Sequence, residues 1–342
     1  MNPDTLLLFP TYTPPAITGE FNVVFSNSQY TEPRDTLTRK FVQTDYTWAT
    51  DNLNLLLDGG AALNSEFATD LIYQVGALTL TGENGGTAQY GTFGIANIDS
   101  IYNPTNPAAN LISFILYDAD SDGNGDLNLL SDFQADLQSD VVGVGTYEMT
   151  GNEQETDLLD VLLIDNNGDT GVALIPNHPY YTTILYDGNE NGTGQMPAFT
   201  NTAYVDYLFY SNESGDFVPS TPIMLGGQLS YWSDRTIVNR LQLEGYVTST
   251  KQTGKVLDKS KYSVTPNPAG DNVRVNLELA ERSDWVNVAI MSPAGKLLRS
   301  QNLSAFQSGQ INLPARDIPA GNYLLWIRTP EGQAVTKLAI AH

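Results

Sequence analysis

Asn272-Val-Arg-Val-Asn-Leu-Glu-Leu279 alternates apolar and polar residues without a break. Successive side chains of a strand point to opposite faces, so this stretch predicts a half-buried strand with one face on a core. Trp285-Val-Asn-Val-Ala-Ile-Met291 continues the alternation, and Ser292-Pro-Ala-Gly295 closes a turn into Lys296-Leu-Leu-Arg299. Gln310-Ile-Asn-Leu313, residues 321–328 and residues 334–340 have the same character. About seven short strands in so short a segment predict a small antiparallel sandwich of immunoglobulin type.

Working outward toward residue 1, the strand signals continue in a different style. Glu20-Phe-Asn-Val-Val-Phe25 is a first strand, and Leu71-Ile-Tyr-Gln-Val-Gly-Ala-Leu-Thr-Leu80 ends at the turn Gly82-Glu-Asn-Gly-Gly86. Leu111-Ile-Ser-Phe-Ile-Leu-Tyr117 is an apolar strand running straight into Asp118. Residues 90–98, 141–149, 158–164, 181–186, 203–210, 223–231 and 237–247 repeat the pattern, separated by Gly, Asn, Asp or Pro. Such spacing indicates a sandwich or jelly roll. One surface helix is expected over 127–137, where Leu127, Leu130, Phe133 and Leu137 fall near one face. The chain thus reads as all-β: a large N-terminal β-sandwich or jelly-roll-like domain plus a small C-terminal immunoglobulin-like β-sandwich.

Charge divides the chain at the same place. The net charge is −23, but residues 1–246 carry −27 and residues 247–342 carry +4. This asymmetry predicts separate segments. Residues 1–19, with Pro3, Pro10, Pro14 and Pro15, read as an extended arm. Residues 20–247 are an acidic passenger. Residues 248–261, with Lys251, Lys255, Lys259, Lys261 and Gly254, read as an exposed, flexible basic linker. Residues 262–342 form the terminal domain.

A strongly negative passenger repels nucleic acid and anionic membranes and favours cations. The absence of cysteine removes disulfides, thiolate metal sites and cysteine nucleophiles. No apolar run reaches the ~18 residues a spanning helix needs. Met1-Asn-Pro-Asp-Thr-Leu-Leu-Leu-Phe-Pro10 lacks the basic start and apolar core of a signal peptide, so an exported chain would carry its signal outside this sequence.

The terminal domain has four marks in order: Pro266-Asn267-Pro268, Ser292-Pro-Ala-Gly295-Lys296, Ile318-Pro-Ala-Gly321-Asn-Tyr323 and Lys337-Leu-Ala-Ile340. On these it resembles the type A C-terminal sorting domain of cargo of the Bacteroidota type IX secretion system. The resemblance implies export across the inner membrane, recognition of residues 262–342 by the secretion machinery, and delivery to the outer-membrane surface or the medium. Domains of that family are often cleaved from their passengers. The resemblance assigns no activity to residues 1–246, which are similar only in a general way to acidic β-sandwich cargo.

The sharpest chemical signal is Asp118-Ala-Asp120-Ser-Asp122-Gly123-Asn124-Gly125-Asp126. Calcium takes six to eight hard oxygen ligands. Asp118, Asp120, Asp122 and Asp126 offer carboxylates, Asn124 offers its backbone carbonyl, and Gly123 permits the sharp turn. The loop follows a strand, and Leu129 stands where an EF-hand has its bidentate Glu. It is therefore read as a short strand-end calcium loop. A second, poorer set is Asp187, Asn189 and Asn191, with Gln195 in place of the final Asp. Asp165, Asn167 and Asp169 form a third acidic turn, read as a connection between strands.

Catalysis has little support. His178 and His342 are the only histidines, His178 reads as a surface loop residue, and Gly-x-Ser-x-Gly does not occur. A glycosidase would need two of the many carboxylates facing each other. Sixteen of eighteen tyrosines lie in residues 1–246 and read mainly as strand packing, with sugar stacking as the other use. The expected function is a non-enzymatic, calcium-stabilised structural or adhesive surface protein, possible partners being other copies in a filament or surface glycans. A carbohydrate-binding module is the alternative, and a glycoside hydrolase stands behind both.

Overall fold

The computed structural model describes residues 19–26, 36–49, 57–61, 72–121, 123, 141–154, 157–187, 199–202, 208–211, 216–219, 222–225, 228–231, 236–246, 252–293 and 295–342. The expected helix over 127–137 and nearly all of the expected arm lie outside these residues. The chain divides into residues 1–45 and residues 46–342. In the first unit, Gly19–Ser26 pairs antiparallel with Thr36–Gln43.

The second unit is nearly all β. One passenger sheet has seven strands in the spatial order Ile164–Asp165, Val141–Glu148, Leu111–Asp118, Pro179–Asp187, Ile72–Leu80, Pro222–Leu225 and Gln228–Tyr231. The other orders Gln252–Thr253, Leu159–Leu162, Gly86–Phe93, Asn239–Leu243 and Thr47–Ala49, with Val172–Leu174 also paired to Gly86–Phe93. The strand expected over 90–98 is thus shifted toward the N-terminus, and Ile98–Ile101 forms a short helix. The terminal domain has a three-stranded sheet (Tyr262–Thr265, Asn272–Ser283, Phe306–Pro314) and a four-stranded sheet (Leu297–Leu303, Val286–Met291, Gly321–Thr329, Gly332–Ile340). These seven strands are immunoglobulin-like.

Alternation explains how the sheets stack. On Leu111–Asp118, the side chains of Ile112, Phe114 and Leu116 join Phe93, Leu159, Val161 and Leu241 of the six-stranded sheet in the passenger's own core. The intervening Ile115 and Tyr117 point the other way and join Val141, Val144 and Tyr181. A register shift between Leu116 and Tyr117 puts Val141 and Val144 on one face although they are three residues apart. Burial on both faces accounts for the continuous apolar run of this strand.

What covers the second face is the terminal domain. Met291, Leu324, Trp326 and Val335 of its four-stranded sheet share one cluster with Ile115, Tyr117 and Tyr181. The alternate residues of the same strands, Val288, Ile290, Leu325, Ile327 and Leu338, close the domain's own core against Val273, Val275, Ile311 and Leu313. Four sheets thus lie in succession with three apolar cores between them. Each buried large apolar side chain contributes about 1.5–3 kcal/mol relative to exposure.

The connection also differs from a free tether. Gln252–Thr253 pairs in parallel with Asp160 and Val161. Leu257 is buried in the terminal core, its N–H donating to the Gln333 carbonyl (2.8 Å). The Gln333 N–H returns a bond to the Lys255 carbonyl (2.7 Å). The lysines suggest solvent, but Val256 and Leu257 carry the apolar contacts, and backbone groups there complete sheet edges.

Candidate functional site

Asp118 ends its strand opposite Tyr180. Its Oδ1 accepts the Asp120 N–H (3.0 Å) and lies 2.5 Å from His178 Nε2. A carboxylate only accepts, so Nε2 carries the proton in this bond. His178 is nearly buried, which corrects its reading as a surface loop residue. Its N–H donates to Thr81 Oγ1 (2.8 Å), its carbonyl accepts the Thr81 N–H (3.0 Å), and its ring meets Tyr180 edge-on. The sequence hid this pair because the two residues are sixty positions apart and meet only through strand pairing.

Asp120 is buried too, and its carbonyl accepts the Gly123 N–H (3.1 Å). Gly123 has φ +69°, the left-handed region expected of the turning glycine. Asp122, Asn124 and Asp126 lie outside the described residues. Among the described residues no three acidic or histidine side chains converge on a metal position. Asp118 and Asp120 are thus the two expected carboxylates that fall within the described residues. Asp118 keeps Oδ2 without a hydrogen-bond partner among the described residues, and the backbone turns back at Gly123.

The second candidate loop is not brought to the first. Asp187 pairs with Ile72 at the opposite end of the same sheet, because its strand runs antiparallel to Leu111–Asp118. Asn189 and Asn191 lie outside the described residues. The third acidic turn folds on itself: Asp165 Oδ1 accepts the N–H groups of Asn167 (2.8 Å) and Asp169 (2.9 Å). Two lysines reach it, with Lys259 Nζ 3.2 Å from Asp169 and Lys337 Nζ 3.3 Å from the Asn167 side-chain oxygen.

Three other acids, buried Asp160 and Glu153 and half-buried Glu148, serve the fold. Thr92 donates to Asp160 (2.6 Å), and Tyr147 donates to Glu153 (2.8 Å). Burial alone would raise the Glu153 carboxyl, but bonds from Thr150 and Tyr147 outweigh it and hold the pKa below the ordinary range. Glu148 is shifted the other way: burial raises it, against a bond from Trp285 Nε1 (2.9 Å). Tyr117, Tyr147, Tyr180, Tyr181 and Tyr186 are all buried in cores, which is the packing use of tyrosine.

The terminal motifs have physical jobs. The Asn267 side chain of Pro266-Asn267-Pro268 donates to the Lys337 carbonyl and accepts the Ala339 N–H, both at 2.9 Å, so the first and last motifs form one joint. The Tyr323 hydroxyl donates to the Pro319 carbonyl (2.6 Å) within its own motif. The Pro293 carbonyl accepts the N–H of passenger Val141 (2.7 Å). Gly295 (φ +72°) sits against the Tyr117 hydroxyl with no room for a Cβ.

Fold and motifs define an extracellular-type β-sandwich ending in an immunoglobulin-like address domain. Residues 263–341 match the family described as the secretion system C-terminal sorting domain. They are the type IX sorting tail, and the chain is cargo of that system, directed to the cell surface or the extracellular space in Bacteroidota. No curated protein matches the chain. Solved structures with some likeness include native α-2-macroglobulin domains NIE-MG1 of Escherichia coli (11% identity, 66% of this chain, 82% of that one, TM-score 0.17). Others are a GH2 β-galacturonidase of Eisenbergiella tayi (12%, 86% and 41%, 0.19) and dimeric latent PorU of Porphyromonas gingivalis (10%, 78% and 34%, 0.21). Likenesses this weak carry no argument. No helix among the described residues is long and apolar enough to cross a membrane.

Proposed function

We propose that this cargo is a non-enzymatic structural or adhesive protein of the cell surface, stiffened by calcium in the strand-end loop of residues 118–126. The observation that carries the calcium reading is the Asp118 cradle. His178 and the Asp120 N–H hold one carboxylate oxygen of Asp118 in place, and Gly123 takes the left-handed conformation that a tight cation loop needs at its turning glycine. Extracellular calcium modules bind at about 10⁻⁴–10⁻³ M and act by rigidifying. The non-enzymatic reading is supported by how three buried or half-buried acids are used: Asp160, Glu153 and Glu148 each accept a bond from a neighbour in the fold.

Thermal unfolding with added calcium tests the reading. Linkage at such affinities gives about 1.4–2.7 kcal/mol at about 10 mM calcium, a rise of about 3–5 °C in Tm for a domain this large. Asp120→Asn should remove most of that rise. A wild-type protein whose Tm ignores both calcium and chelator would end the calcium reading.

A further inference from the structure

We infer that the sorting tail is a permanent structural layer of the folded protein: its four-stranded sheet stays seated on the passenger's seven-stranded sheet when the chain between residues 247 and 251 is cut. Three kinds of contact carry this, and none depends on that connection.

The first is apolar. Met291, Leu324, Trp326 and Val335 are each 5% exposed or less, and their cluster includes Leu78, Ile115, Tyr117, Val144, Tyr181 and Leu185 of the passenger. Trp285 adds a second patch with Ala108 and Leu111. Among the described residues a small cavity of about 30 Å³ lies at this contact, lined in part by Ser113, Asn287, Met291, Trp326 and Arg328. That is room for a water, as in a protein interior.

The second is polar and specific. Arg328 is buried, donates to passenger Ser113 Oγ (3.1 Å) and twice to Asn287 Oδ1 (3.0 and 2.7 Å), and stacks over Trp326 at 4.6 Å. Gln333 Nε2 donates to the Leu162 carbonyl (3.3 Å), and Trp285 Nε1 to Glu148. A tail made to separate would leave these buried groups facing water on a flat apolar sheet.

The third is electrostatic. Lys259 pairs with Asp169 (3.2 Å), and Lys337 donates to the Asn167 side-chain oxygen of the same acidic turn (3.3 Å). The strand Gln252–Thr253 stays with the tail fragment and adds a backbone pairing to Leu159–Leu162.

The test is to insert a specific protease site within residues 247–251 of the full chain, cut to completion, and run size-exclusion chromatography at low micromolar concentration. The two fragments should co-elute at the position of the uncut protein and separate only in denaturant. A tail fragment eluting alone without denaturant overturns the inference. Leu324→Asp should release the cut tail, whereas Asn276→Asp, on the exposed face of the three-stranded sheet, should leave co-elution unchanged. Retention by the cut Leu324→Asp protein would overturn the assignment of this face.

Discussion

The two faces of the seven-stranded sheet solve one problem with different partners. Ile112, Phe114 and Leu116 are covered by strands of the passenger itself, such as Gly86–Phe93 and Asn239–Leu243. Ile115 and Tyr117 are covered by residues 291–335, nearly two hundred positions downstream. The apolar side chains named on the two faces are buried alike. The difference is that the second cover carries an export address. In this protein, address and core are one set of strands, with even and odd positions of Gly321–Thr329 serving the two sides.

The comparison breaks most sharply by truncation on each side. Phe114→Ala should cost about 3–5 kcal/mol, and Trp326→Ala a similar amount if the faces are equivalent, each within a single urea transition. A second transition appearing only in Trp326→Ala would show that the tail unfolds as a separate body. Next in size is Gly295→Ala. A Cβ there overlaps the Tyr117 hydroxyl and must accept φ +72°, so a loss of about 1–3 kcal/mol in the urea midpoint is expected. Tyr117→Phe should restore part of it by removing the overlapping oxygen.

The smallest effect is a pH slope. Burial holds the folded Glu148 carboxyl above its ordinary 4.5, so the folded state binds that proton more tightly than the unfolded state. Its contribution to stability is therefore present at acid pH and declines as pH rises from 4.5 through the raised folded value. Glu148→Gln keeps an acceptor for Trp285 and should flatten that slope in urea midpoints measured across the range. An unchanged slope would place its origin elsewhere.

Much of this was legible in the residues. Asn272–Ser283 alternates cleanly because one face meets water, and the strand lies where the pattern puts it. The strand Leu111–Asp118 was equally plain, as was the turn at Gly123. The tail interface leaves a fainter signal. Tyr323-Leu-Leu-Trp-Ile327 is apolar at even and odd positions alike, and a sandwich strand with one wet face has no use for that. Periodicity says that a residue leaves its own core; it does not say what it meets. The His178–Asp118 bond and the lysines on the Asp165 turn escaped for the same reason, since each joins residues brought together by pairing between distant strands.

Gly332–Ile340 gives Val335 to the core shared with the passenger, and Ala334, Leu338 and Ile340 to the tail's own. A chain that stops before Gly332 therefore lacks a wall of two cores at once. During synthesis, neither the address domain nor the outer face of the passenger is finished until this strand has left the ribosome. Until then the nascent protein shows an open apolar sheet, the kind of surface that chaperones and proteases act on. Completion of the address domain and closure of the passenger's outer face therefore depend on the same last strand.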